Sequence, residues 1–403
     1  MQWHQGLAWQ AFTPVGRGFD FSDGFLCGGE DHFLQTADLS VGNCGVNGSA
    51  IRDAFLMNAT YPEAIGTYTG TRFVGRAVQY IEQHARERAG EPLFEYVALH
   101  NTHAPLQALP QFLELYNSTP FRAQREYYAM FSTIDAAVGD IVAALKRNNL
   151  WENTALIWAT DNGAPVQVGG TNFPLRGGKG SNWEGGYRVP FLASGGLLPA
   201  SQRGKVAAAG NPVSIVDLYS TFATLAGLDP SDPGGPAPID SVDLWPFLSG
   251  AAPASPRADS LLVIDHNMYT PSQKPNGAIR LGKYKLLVGP PGGEQQASWY
   301  GNFSPNASFP NPSLNYVACD NTVAPYGCLF DLVADPTEHA DLSAALPDVM
   351  AQLLGLFDAL NATYHPPVRN PPSDEAGLCA AALANQRIVT PWRTDAPPGP
   401  ESW

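Results

Sequence analysis

The feature that most constrains this chain is an alternation of helical and strand-like segments in which each strand opens into a polar loop. Residues 74–89 place Val74, Val78 and Ile81 on one helical face, and Gly90 follows as a stop. The apolar run Leu93 to Leu99 is strand-like and leads into His100-Asn101-Thr102-His103-Ala104-Pro105. Residues 122–148 repeat apolar positions at steps of three and four, through Met130, Ile134, Ala137, Val138, Ile141, Val142 and Leu145. Lys146 and Arg147 stand at its end, where cations suit the helix dipole. Thr154 to Thr160 then reads as a buried strand ending at Asp161-Asn162-Gly163. This order predicts a largely parallel sheet covered by helices. In such sheets ligands bind beyond the carboxyl ends of the strands, so His100/His103 and Asp161/Asn162 are expected at one edge.

A further helix is expected from Asn211-Pro212, an N-cap followed by proline at the first helical position, to about Gly227. Beyond the Pro/Gly-rich stretch 229–256 the pattern changes. Ala278 to Val288 reads as two short antiparallel strands around Gly282, and Leu329 to Leu332 as another. Residues 347–361 read as a helix packing through Met350, Leu353, Leu354, Phe357 and Leu360. The expected division is a domain at 1–256 and a smaller α+β domain at 257–403, whose Pro-rich tail from about 366 runs over the surface. A chain of 403 residues can bury a core without disulfides. Its 40 glycines and 36 prolines mark it as loop-rich rather than disordered.

Lys plus Arg number 23 against 37 Asp plus Glu, a net charge of −14. That balance argues against nucleic acid and anionic membranes as partners, while a local cationic pocket can still take an anionic substrate. No run of 18 apolar residues occurs, so no transmembrane segment is expected. Met1-Gln2-Trp3-His4 has neither the basic nor the apolar region of a signal peptide in the sequence as given. The five cysteines, Cys27, Cys44, Cys319, Cys328 and Cys379, show no zinc-ligand spacing. Cys319/Cys328 and Cys27/Cys44 each bracket a loop that a disulfide can close; five buried thiols are the alternative. Six glycosylation sequons, at Asn47, Asn58, Asn117, Asn302, Asn306 and Asn361, favour the secretory pathway, lysosomal or extracellular.

Five residues can carry chemistry. Asp161 and Asn162 offer adjacent oxygens of the kind Ca²⁺ takes about six to eight of, and the same pair can simply close a strand as an Asx turn. Lys179 lies in Leu175-Arg176-Gly177-Gly178-Lys179-Gly180, where glycines let the backbone approach an anion and lysine adds a point charge; a flexible loop is the plainer reading. His4 and His103 can each serve as acid, base or hydrogen-bond donor, or be structural.

Taken together these segments resemble one family. Trp3-His4-x-Gly6, His103-Ala104-Pro105-Leu106-Gln107, Asp161-Asn162-Gly163 and the long block Pro174-Leu175-Arg176-Gly177-Gly178-Lys179-Gly180-x-x-Trp183-Glu184-Gly185-Gly186-x-Arg188-Val189-Pro190 appear in the order found in sulfatases. Ala278 to Leu287 and Leu329-Phe330-Asp331-Leu332-x-x-Asp335-Pro336-x-Glu338 resemble the C-terminal domain of the arylsulfatase B type, the N-acetylgalactosamine-4-sulfatases. The resemblance runs from residue 1 to about residue 393. It implies an α/β fold: an alkaline-phosphatase-like sulfatase sheet sandwiched by helices, with the smaller C-terminal α+β domain. It also implies hydrolysis of sulfate esters, with sulfated small molecules or glycans as substrates.

By the same resemblance, Asp161 and Asn162 match the later pair of ligands to a divalent cation, usually Ca²⁺. Lys179 matches the lysine that binds the sulfate group. His103 matches the histidine that contacts sulfate and assists the leaving group, and His4 the one that helps break down the sulfated aldehyde hydrate. The family makes a formylglycine nucleophile from C/S-x-P-x-R and holds its cation partly with an Asp-Asp pair, both upstream of the Trp-His segment. Here Gln2 replaces the family's lysine, and no cysteine starts such a motif. Ser118-Thr119-Pro120-Phe121-Arg122 fits formally but lies downstream of the His103 loop, so Ser118 reads as a decoy. The expectation is a sulfatase chain lacking its N-terminal catalytic segment, formylglycine included, and inactive as written. A non-catalytic sulfatase-like protein that binds sulfated ligands through His103 and Lys179 is the alternative, and a phosphoesterase of the same superfamily ranks third. The oligomeric state is left open.

Overall fold

The computed structural model describes residues 2–37, 51–57, 59–208, 210–231, 239–257, 259–265, 276–289, 319, 327–363 and 375–397. Cys44 and the sequons at Asn47, Asn58, Asn302 and Asn306 lie outside the described residues. The principal elements in chain order are β1 (Asp23–Gly24), β2 (Phe55–Leu56), β3 (Ala59–Thr60), α1 (Thr69–Glu87), α2 (Arg122–Arg147), β4 (Leu156–Ala159) and β5 (Phe191–Ser194). After them come α3 (Leu218–Leu225), β6 (Asp259–Asp265), β7 (Asn276–Leu281), β8 (Tyr284–Val288), β9 (Cys328–Asp331), α4 (Pro347–Asn361) and α5 (Glu375–Ala384).

Contacts gather the chain into two compact units, residues 1–151 with 367–403, and residues 152–366. The boundary expected near residue 256 falls inside the second unit. The composition shift there does not separate the chain, because Trp183 from the 174–190 block is itself part of the core of the four-stranded sheet.

In the first unit, α1 packs on α2. The expected period is present, and the buried face of α1 is Phe73, Val74, Ala77 and Ile81. Each large apolar side chain buried in this way contributes about 2 kcal/mol. By length and composition α2 is apolar enough to cross a membrane. Its face through Tyr127, Met130, Ile134 and Ala137 is buried, however, while Asp135 and Asp140 are exposed. The segment Leu93 to Leu99, expected as a strand, carries no strand ladder. Ala98 O accepts from the Gln2 amide at 3.3 Å, but Leu93, Phe94 and Tyr96 stay 40–60% exposed, so the run lacks the paired neighbours a ladder requires.

The tail also departs from expectation. Residues 375–384 form α5, and Leu378 and Val389 join Leu26, Cys27 and Phe55 in a core cluster. Arg52 fixes the tail by backbone bonds, donating to Arg387 O and accepting from Val389 N–H, both at 2.8 Å. The run Glu375-Ala-Gly-Leu-Cys-Ala-Ala-Ala-Leu-Ala is strong helix former, a signal that the flanking prolines obscure.

In the second unit, β4 pairs antiparallel with β5, from Leu156↔Ser194 to Ala159↔Phe191. All ladders among the described residues are antiparallel, and parallel pairing is confined to isolated bridges, so the expected parallel sheet is not formed by these strands. The sheet β6-β7-β8-β9 is a meander. Leu281 pairs with Tyr284 across the turn Gly282-Lys283, where Gly282 has φ +57°, as a tight hairpin needs. Strand alternation gives it two buried faces. Ile279, Leu286, Val288 and Leu329 pack under Met350, Leu353 and Phe357 of α4. Ala278, Leu287, Cys328 and Phe330 pack with Trp183 on the other.

The Cys319–Cys328 disulfide forms on that second face. Cys379 is also disulfide-bonded, and Cys27 is a buried thiol outside any disulfide, which removes the Cys27/Cys44 pairing. The helix expected from Asn211-Pro212 begins later. Ser214 and Asp217 form a capping box, Ile215–Asp217 is a 3₁₀ turn, and α3 follows. Asn211 Oδ1 instead accepts from the Ser255 amide at 3.0 Å. Reciprocal capping satisfies two orphan amides where a lone Asn satisfies one, which is why the later start wins.

Candidate functional site

His4, His103 and Ser118 belong to the first unit, and Asp161, Asn162 and Lys179 to the second.

In the second unit the loop after β4 is stitched to the 174–190 block. Asn172 does most of this. Its Oδ1 accepts from Ala164 N–H at 2.8 Å, and its Nδ2 donates to Ala164 O and Gly177 O, each at 2.9 Å. Gly163 N–H donates to Gly186 O at 3.0 Å, and Lys179 N–H to Ala164 O at 3.3 Å. The glycines are required by contact. A Cβ on Gly163 would lie 1.6 Å from Gly185 O, and one on Gly178 2.3 Å from Ala164 O. The loops of Asp161/Asn162 and of Lys179 are therefore brought together by backbone. Asp161 is exposed; Asn162 and Lys179 are half-buried.

A buried ionic quartet supports the block. Lys285 Nζ lies 2.9 Å from both Glu184 Oε1 and Glu338 Oε1. Glu338 Oε2 accepts from the Glu184 amide at 2.7 Å. The Arg176 guanidinium stacks on Trp183, 3.6 Å from the ring centroid, and donates to Glu338 O at 3.3 Å. Burial pushes Glu338 up to about 7, with Lys285 opposing and Glu184 reinforcing the rise. Burial pulls Arg176 down to about 10, against Glu338. Burial also works against the Lys285 ammonium, but its two carboxylate neighbours win and hold it above its ordinary value. In the sequence all four are visible only as members of the family motifs.

In the first unit, His4 N–H donates to Leu26 O at 3.3 Å and the residue has φ +56°, a left-handed conformation that costs a non-glycine residue about 1 kcal/mol. Gly28 has no side chain to obstruct it: a Cβ there would lie 3.0 Å from His4 Nε2. Gln2 donates its side-chain amide to Gly28 O. Asp53, fully buried, accepts from the Leu26 and Cys27 amides and so fixes the bend after β1 to which the His4 amide bonds.

His103 is half-buried in the loop after residue 99. Its Nδ1 lies 2.8 Å from Ala104 O. A carbonyl only accepts, so Nδ1 carries the proton and Nε2 is the nitrogen available for exchange. The loop is braced by Asn101, which donates to Tyr68 Oη at 2.9 Å, and by Gln107, which donates to Asp31 Oδ2 at 2.7 Å. Burial tends to raise the Asp31 carboxyl, but the Leu34 and Phe33 amides and Gln107 outweigh it and hold it low. Ser118 sits in the exposed turn before α2, beside the exposed Asn117 of a sequon.

Asp161 and Asn162 supply two oxygen donors, short of a calcium shell of about six to eight. Among the described residues no three His, Cys, Asp or Glu side chains cluster as metal ligands. The residues present thus do not complete a cation site by themselves.

The sequence profile of the Sulfatase family matches residues 18–228, just over half the chain. Arylsulfatase J of Mus musculus is 33% identical over 391 residues, covering 93% of this chain and 61% of that protein. N-acetylgalactosamine-6-sulfatase of Homo sapiens is 29% identical over 422 residues, covering 99% of this chain and 70% of the relative. The solved structure of Ps i-CgsB in complex with k-i-k-neocarrahexaose superposes with a TM-score of 0.70 at 24% identity, covering 96% of this chain and 76% of that one. The α/β fold is thus the alkaline-phosphatase-like fold of these neighbours.

Proposed function

The chain belongs to the sulfatase family, and from that premise we propose that it serves the hydrolysis of sulfate esters carried on sugars, within the arylsulfatase B type. Lys179 binds the sulfate group, and His103 contacts it and exchanges a proton with the leaving oxygen through Nε2. His4 assists breakdown of the sulfated intermediate. Asp161 and Asn162 contribute two oxygens towards a calcium ion, whose chemistry would be to neutralise sulfate charge. The sugar preference is supported by two of the similar proteins, an N-acetylgalactosamine-6-sulfatase and a structure solved in complex with a neocarrahexaose. The arylsulfatase B type rests on the motifs at 278–287 and 329–338. The secretory pathway is supported by the Cys319–Cys328 disulfide and by the exposed sequon at Asn117.

The observation that carries the reading is the backbone stitching of the Asp161-Asn162 loop to the Lys179 loop through Asn172. It presents an acidic and a basic side chain from adjacent loops. None of the five cysteines among these residues starts a C-x-P-x-R motif, so the role proposed for them is to bind and orient the sulfate ester. The test is calorimetric titration with an N-acetylgalactosamine sulfate, beside an aryl sulfate turnover assay with calcium. Binding that Lys179→Ala weakens about tenfold or more is expected. Equal binding by wild type and Lys179→Ala would overturn the sulfate site. Turnover that Lys179→Ala abolishes would assign catalysis as well as binding to these loops. The same assays on any longer product carrying the nucleophile motif separate the enzyme from the non-catalytic binder.

A further inference from the structure

Behind His103 stands a column of aromatic rings. Tyr68, His32, His100 and His103 follow one another with centroid separations of 5.5, 4.1 and 5.5 Å and interplanar angles of 23°, 21° and 26°. Tyr68, His32 and His100 are buried, and His103 stands at the open end. Phe25 closes the side of the His100 ring, edge-on, at 4.9 Å.

His32 is held at four points. Its amide donates to Gln107 Oε1 at 2.8 Å, and its carbonyl accepts from Thr69 N–H at 2.9 Å. Its Nε2 lies 3.1 Å from His103 O, and its Nδ1 lies 3.0 Å from Thr69 Oγ1. Because the His103 carbonyl can only accept, Nε2 of His32 carries the proton and Nδ1 accepts from the Thr69 hydroxyl. His32 thus donates to the backbone of the same residue whose ring ends the column.

We propose that His32 and His100 are positioning residues for His103, fixing its ring plane and its Nδ1–H tautomer so that Nε2 faces outward. The inference rests on the reading of His103 as the proton-handling residue at sulfate. Burial pulls His32 down to about 4, so it stays neutral at physiological pH, and charge on His103 opposes its protonation further. A neutral His32 leaves any imidazolium formed at the open end without a like charge on that ring. A role in packing alone would accept any side chain of similar volume at these positions. The positioning role demands a hydrogen-bond donor at 32 and a flat face at 100.

The test is two-bond ¹H–¹⁵N correlation spectroscopy of the chain labelled at its eight histidines, at pH 8, with His103 assigned through His103→Gln. Wild type is expected to show the Nδ1–H pattern for His103. His32→Leu and His100→Leu should each lose it to a mixture of tautomers. His32→Gln, whose amide replaces the Nε2–H donor, and His100→Phe, which keeps a flat face, should retain it. An unchanged His103 pattern in both leucine variants overturns the proposal, as does wild type lacking Nδ1–H. Should either leucine variant lose its native circular dichroism, a mixed pattern in His32→Gln or His100→Phe still overturns it. Failure of the sulfatase reading is distinguishable. A column behaving as expected while an added aryl sulfate leaves the His103 signals unmoved refutes the sulfate site and leaves the column standing.

Discussion

Replacing Lys285 by methionine isolates the energetics of the quartet. The ammonium sits 2.9 Å from one oxygen each of Glu184 and Glu338, and all three side chains are essentially out of water. Methionine fills a similar volume but leaves two buried carboxyls facing each other. Breaking a buried pair in this way costs about 3–5 kcal/mol, because the abandoned charge has no solvent to return to. The cost depends on pH with a definite sign. Glu338 lies at about 7 in the folded state against an ordinary 4.5, so folding takes up a proton and stability falls as pH rises from about 4.5 to about 7. Without Lys285 the carboxyl rises further, and the window of falling stability extends upward. The deficit is therefore larger at pH 8 than at pH 6. Urea unfolding followed by near-ultraviolet circular dichroism measures it at both values. Lys285→Met/Glu338→Gln should recover most of the loss, since the amide still accepts from the Glu184 N–H. A deficit below about 1 kcal/mol at pH 8, or one equal at the two pH values, would refute the reasoning.

Three further outcomes follow from the packing. Gly163→Ala should cost about 3 kcal/mol, because its methyl would collide with a backbone carbonyl rather than a movable side chain; faster exchange of the Lys179 amide proton reads the loosened loop. Leu378→Ala should cost about 2–4 kcal/mol in thermal unfolding, whereas a tail lying on the surface would lose under about 0.5 kcal/mol. Cys328→Ser should lower stability by roughly 2–3 kcal/mol, and in reductant, which also opens the Cys379 disulfide, wild type and variant should converge.

Periodicity made α1, α2 and α4 legible, because each buries one face, while β4, half-buried rather than buried, and the β7–β8 hairpin and β9, buried on both faces, were legible as short apolar runs. Strand pairing was not legible. Nothing local to Thr154–Thr160 says that its partner is Phe191–Ser194 running the other way. The start of α3 turned on competition between two caps, and the Ser214/Asp217 box stood only three residues beyond the lone Asn211. Gly178 announced a close approach, but not that the approaching group is the backbone carbonyl of Ala164. His32 and His100 carried no sign in sequence of the column they form, since stacking depends on bringing residues 32, 68 and 100 together.

The family motif contains two kinds of charged residue, and the structure separates them. Arg176, Glu184, Lys285 and Glu338 are consumed in one another: two cations and two carboxyls, buried and mutually neutralised. Their work is to hold the block on the sheet. Lys179 and Asp161 are different. Their loops are bonded to one another through Ala164 and Asn172, yet among the described residues neither side chain enters an ion pair. Opposite charges on adjoining loops would ordinarily gain by meeting, even if only by a fraction of a kcal/mol. Kept apart on rigid backbone, Lys179 retains its attraction for an anion and Asp161 for a cation. A scaffold whose buried charges face one another adds little field of its own at these loops, so in the proposed site the attraction for an anionic ester falls to Lys179.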